Sequence, residues 1–128
     1  MATTYHNAGL NISQACTSSM VYSASGDFLT AGSGETYILK SIQVSNTVAA
    51  TAGTFYGTNI NVNLLDYSAG ATHSISNVMV VPKNSSIDVL SDNLVLESND
   101  KVTIQITGSA EAETTYQVDV IGSYLKIT

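Results

Sequence analysis

Hydrophobic and polar residues alternate along much of the chain with a period of two. Ile60, Val62 and Leu64 alternate with Asn59, Asn61 and Asn63, which predicts a strand with an aliphatic inner face and an amide outer face. Val102, Ile104 and Ile106 alternate with Thr103, Gln105 and Thr107, and Tyr116, Val118 and Val120 alternate with Gln117, Asp119 and Ile121. From Ile38, the set Ile38, Lys40, Ile42 and Val44 alternates with Leu39, Ser41, Gln43 and Ser45. Shorter apolar pieces at Met20–Tyr22, Val78–Val81, Ile87–Leu90 and Leu94–Leu96 supply further strand candidates. No stretch shows a helical period.

Turn formers separate these pieces: Ser25-Gly26-Asp27, Gly32-Ser33-Gly34, Ser68-Ala69-Gly70, Pro82-Lys83-Asn84, Ser98-Asn99-Asp100 and Gly108-Ser109. Val48–Ala52 is short and ends at Gly53, so it reads as a loop, and Pro82 is placed to end the strand before it. Asn99 and Asp100 are residue types that accept tight-turn conformations. The pattern predicts an all-β, antiparallel sandwich of about seven to nine strands. Its expected core is Ile42, Val44, Ile60, Val62, Leu64, Val102, Ile104, Ile106, Val118 and Val120. Residues 1–35 are the least periodic and are expected to form an N-terminal arm or edge strands, with the sandwich over 36–128. The 128 residues suit one domain.

Charge then narrows the partners. The chain has 4 Lys+Arg against 10 Asp+Glu, a formal net charge of -6. All four cations are lysines, so no arginine fork grips phosphate, and nucleic acid is not an expected partner. Seventeen Ser and 15 Thr make the surface polar without charging it, which suits copies that pack against one another. No apolar run reaches the roughly 18 residues of a membrane span. Residues 1–11 lack the basic and apolar segments of a signal peptide, so synthesis in a cytoplasm is expected. Cys16 is the single cysteine and reads as a small apolar residue without disulfide or thiolate metal chemistry.

Catalytic constellations do not emerge. His6 and His73 have neither HxH nor HExxH spacing, and no G-x-S-x-G elbow is present. Asp88, Asp92, Glu97 and Asp100 form an acidic stretch without the calcium-loop pattern, and a solvated rim accounts for it better. Tyr56, Tyr67 and Tyr124 flank strands and are candidates to line a surface, although a place in the core or at a strand edge accounts for them better. The expectation is no enzyme, no cofactor and no metal.

Four segments carry a family resemblance. They are Met1-Ala2-Thr3-Thr4-Tyr5-His6-Asn7-Ala8-Gly9, Tyr37-Ile38-Leu39-Lys40-Ser41-Ile42-Gln43-Val44-Ser45-Asn46, Val80-Val81-Pro82-Lys83-Asn84-Ser85-Ser86, and Leu94-Val95-Leu96-Glu97-Ser98-Asn99-Asp100-Lys101-Val102. In that order the chain resembles small proteins of tailed bacteriophages, notably cyanophages and marine phages. The last segment has Asn99 where the family pattern carries glycine. The resemblance implies a virion structural protein of β-sandwich or jelly-roll type: a capsid decoration or cement protein, or a neck- or tail-associated one. A host-receptor or carbohydrate-binding adhesin on the same kind of fold is the alternative class. The expected partners are the major capsid protein or other virion proteins and further copies of the chain, with a trimer favoured by analogy with three-fold decoration proteins. Leu10, Ile12, Met20, Val21, Phe28 and Leu29, apolar residues in the aperiodic N-terminal segment, are the expected assembly contacts.

Overall fold

The computed structural model describes residues 3–16, 20–46, 58–81, 85–110 and 114–128. Among these, nine strands form: β1 (Thr3–Cys16), β2 (Met20–Thr30), β3 (Thr36–Asn46), β4 (Thr58–Asp66), β5 (Ala71–Val81), β6 (Ser86–Asp88), β7 (Leu94–Leu96), β8 (Lys101–Ala110) and β9 (Thr114–Ile127). One sheet runs β1-β9-β3-β6, with β7 also paired to β3, and the other runs β2-β8-β4-β5. Every ladder is antiparallel.

The ladders have a simple origin. The chain folds back on itself as one long hairpin: β1 with β9, β2 with β8, β3 with β7 and β6, and β4 with β5. Rolling that hairpin up adds the β9–β3 and β8–β4 ladders and splits it into two facing sheets. This is the double Greek key of a jelly roll.

The alternating aliphatics meet between the sheets. Ile42, Val44, Ile60, Val62, Val102, Ile104, Ile106, Val118 and Val120 are fully enclosed, while Leu64 is only partly buried against them. Tyr37, Leu39 and Leu96 join this core from the β1-containing sheet, and Phe28 and Leu29 join it from β2.

Three expectations are corrected here. In β3 the register to β9 shifts between Leu39 and Ser41, so Lys40 is a bulge. The inner positions are therefore Tyr37, Leu39, Ile42 and Val44, while Ile38 and Lys40 leave the core. A strict period of two would have buried a lysine, and the extra residue avoids that. Ser25-Gly26-Asp27 is not a turn but lies inside β2 opposite Gln105, Ile104 and Thr103. Gly26 fits there because a Cβ would press on the Leu10 side chain at 3.1 Å. Gly108-Ser109 likewise continues β8, opposite Tyr22 and Val21. The Val48–Ala52 loop and Pro82 lie outside the described residues.

The turns behave as their residue types require. Gly34, Gly70 and Asn99 all have positive φ, at 75°, 63° and 67°.

Candidate assembly surface

The outer face of the β1-containing sheet can be read row by row from its registers. Tyr5 lies opposite Leu125, Leu125 opposite Ile38, and Ile38 opposite Val95. These four residues share the outer face because their neighbours Leu39, Leu94 and Leu96 turn toward the core. Tyr5 is 79% exposed and Val95 52%, with Leu125 and Ile38 half-buried between them. An apolar row thus crosses four strands and faces outward. The Lys40 bulge creates it, since without the bulge Ile38 would join the same face as Ile42.

Beyond this row the face is polar. Asn7, Ser123 and Ser41 follow, then Gln43 and Asp88 around Ile121, then Asn11, Asp119, Ser45 and Ser86. Ser41 and Ser123 place their hydroxyls 3.3 Å apart, and the Asn11 amide donates to the Asp119 carboxylate. A shallow depression of about 460 Å³ lies among Asn7, Ser41, Gln43, Asp88, Ile121 and Ser123. A second of similar volume lies on the other sheet, among Ser25, Asp27, Asn63, Thr103 and Gln105. Both are open hollows in which amides, hydroxyls and one carboxylate each sit beside apolar residues, Ala8 and Ile121 in the first and Ile104 in the second.

Aromatic rings close one end of the sandwich. His6 stacks on Tyr124 at 5.3 Å, and Tyr124 on Tyr37 at 4.8 Å. Glu35 pairs with Lys126 at 2.8 Å and accepts the Tyr37 hydroxyl at 3.3 Å. Burial raises the Tyr124 phenol above its ordinary pKa, and the Glu35 hydrogen bond raises the Lys126 ammonium. His6 is therefore engaged in a ring stack and with the Thr4 hydroxyl at 2.8 Å. His73 stands on β5, far along the chain from it. Among the described residues, no group of three or more His, Cys, Asp or Glu side chains converges as a metal site would require.

The acidic stretch is likewise divided. Asp88 is exposed on β6, Asp92 accepts the Asn93 N–H, and Asp100 is buried with its carboxylate on backbone donors. Tyr67 is exposed, Tyr124 is in the ring stack, and Tyr56 lies outside the described residues.

Of the six expected assembly contacts, Ile12, Phe28 and Leu29 are buried in the chain's own core. They are consumed there because β1 and β2 pair within the sandwich and their inner faces are needed to fill it. Leu10 is half-buried against the same core. Met20 and Val21 lie on β2, with side chains outside the description. Among the described residues, the large apolar side chains that stand exposed are Tyr5, Val95 and Ile121, together with Tyr67. Val95 had a readable signal, since it alternates with Leu94 and Leu96. Tyr5 had none, because the residues around it are polar or small.

No protein-family model matches the chain, and no curated protein matches it significantly. Among solved structures it is similar to a chain of infectious bursal disease virus Gt strain, at 10% identity and TM-score 0.49, covering 97% of this chain and 32% of that one. A chain of the infectious bursal disease virus VP2 subviral particle gives 12% identity and TM-score 0.44, again covering 97% of this chain and 32% of that one. A chain in the structure of maize chlorotic mottle virus gives 15% identity and TM-score 0.44, covering 95% of this chain and 91% of that one. This chain therefore spans about a third of the infectious bursal disease virus chains it matches.

Proposed function

We propose that the protein is a non-enzymatic structural component of a virion, acting as a decoration or cement protein that binds neighbouring shell proteins of a tailed bacteriophage. The observation that carries this reading is the outward apolar row Tyr5, Leu125, Ile38 and Val95. An exposed row of this kind loses free energy to water until another surface covers it. The amides and hydroxyls beside it can be buried with few charges to desolvate, which suits a static protein contact. A jelly roll is used by viral shells and lectins alike, so the fold supports the class only by analogy. The resemblance to small phage proteins turns the reading toward the virion.

Particles lacking this protein, incubated with the purified chain and pelleted, test the proposal. The wild type is expected to bind saturably. The double variant Tyr5→Ser/Val95→Ser is expected to bind at least about tenfold more weakly while melting normally, because the most exposed aromatic and aliphatic side chains of the row have the most surface for a partner to cover. Unchanged binding by the variant would remove the row from the interface. A wild type that ignores particles and binds a glycan array selectively would replace the structural role with that of an adhesin.

A further inference from the structure

We propose that two copies of the chain pair antiparallel through their β1 edges, fusing the β1-containing sheets into one continuous sheet across a two-fold axis. This rests on the assembly role above for its meaning, and it closes at two copies where analogy had suggested three.

Among the described residues the sandwich has several sheet edges, and all but one carry a recognised guard against further pairing. β2 is bulged between Asp27 and Leu29 and carries the Asp27 carboxylate. β5 slips twice against β4, between Ile60 and Asn63. β6 and β7 have three residues each. β1 differs from all of them. It runs 14 residues, matches β9 residue for residue from Thr3–Ile127 to Cys16–Thr114 without a shift, and contains no Pro, Lys, Arg, Asp or Glu. Among the described residues it pairs with β9 alone.

The occupant follows from charge and parity. Each copy has a net charge of -6, and because salt screens charges beyond about 8 Å, two copies repel least where neither presents a charged residue. An edge strand free of charged residues is such a place. Opposed residues in an antiparallel pair point to the same face, so residues meeting across the axis must have the same parity. Gly9 opposite its own counterpart satisfies this, and so does Leu10 opposite its own. In either register Ala8, Leu10 and Ile12 meet the same three positions or His6 on the core side. Asn7, Gly9 and Asn11 stay together on the polar side. Leu10, half-buried in one copy, gains cover from the second.

Sedimentation equilibrium on the full chain at micromolar concentrations is expected to give a dimer. With Cys16→Ser as background, Gly9→Cys and Leu10→Cys are oxidised separately, with Val95→Cys as the control. Opposed residues fall within disulfide reach. A covalent dimer is expected at position 9 or 10 and none at 95. Asn7→Lys/Asn11→Lys brings like charges together across the axis, and should weaken the dimer by about tenfold while Asp119 still offers Asn11→Lys a partner. A monomer throughout, or cross-linking at 95 and at neither 9 nor 10, would overturn the pairing. A monomer that binds particles overturns the pairing and leaves the proposed role standing. A cross-linked β1 dimer that binds no particle supports the pairing and removes the role.

Discussion

The carboxylate of Asp100 accepts the backbone N–H of Tyr67 at 2.9 Å, joining two turns 33 residues apart. Its other oxygen accepts the Glu97 N–H at 2.9 Å, and the Asp100 N–H returns to the Glu97 carbonyl at 3.0 Å. The same turn holds the end of β2, since Ala31 donates to the Asp100 carbonyl and Asn99 donates to that of Ala31. One buried side chain thus fastens the β7–β8 turn to the β4–β5 turn. Replacing Asp100 with Ala removes the acceptor of two part-buried N–H groups and is expected to cost about 2 kcal/mol. Asp100→Asn keeps one acceptor and should cost about half as much. Urea unfolding checks both, and equal losses would mean that the retained amide oxygen restores nothing and that the two bonds need the charged carboxylate.

Gly122 permits β9 to pass close to β3 beside the bulge. A Cβ there would overlap the Ser41 carbonyl and lie 3.0 Å from the Phe28 ring. Backbone cannot yield as a side-chain tip can, so Gly122→Ala is expected to destabilise by about 3 kcal/mol or more. Gly9 has only the Val120 carbonyl near, at 3.8 Å. Gly9→Ala should change stability by less than about 1 kcal/mol. Thermal melts of the two variants side by side separate the roles, and similar losses would show that Gly122 is not confined.

The strands were legible wherever residue chemistry and period agreed. Asn59 to Leu64 and Val102 to Thr107 needed no tertiary information, because amides and hydroxyls mark the outer face of each. β3 misled because an inserted residue changes face without changing composition. Ile38, Leu39, Lys40 and Ile42 can all be placed in a strand, and only pairing with β9 decides which of them turn inward. β1 and β2 were obscured by glycine and small residues, which carry little face information, and by the β2 bulge that buries both Phe28 and Leu29. The outward apolar row was hidden for the same reason. Its four members come from four strands, and no local pattern joins them.

The bulge makes a prediction at adjacent positions. Leu39 is fully enclosed and Ile38 is not. Leu39→Asp is expected to prevent folding, since it would bury a carboxylate with no partner. Ile38→Thr should stay within about 1 kcal/mol of the wild type, because threonine suits a strand surface. Circular dichroism and urea titration read both. Comparable damage at the two positions would return Ile38 to the core.

Acid should weaken the β4–β5 turn first. Asp66 accepts the Ala69 N–H at 3.2 Å and the Ser68 hydroxyl at 3.0 Å, and these bonds, with the positive charge of His73, hold its carboxyl below the ordinary value of 3.8. A carboxyl whose pKa is depressed by folding takes up its proton earlier in the unfolded chain. Its contribution is therefore complete above the unfolded value near 3.8 and is lost as pH falls through the lower folded value. Lys126 has the opposite sign. Its pKa is raised from 10.5 by Glu35, so its contribution is complete below 10.5 and fades as pH rises through the folded value. Asp66→Asn should lower stability near pH 7 and flatten its decline as pH falls through and below 3.8. Lys126→Gln should flatten the alkaline decline and leave the acid one intact. Urea midpoints measured across the pH range test both arms, and parallel acid curves for wild type and Asp66→Asn would mean that this turn is not where acid acts.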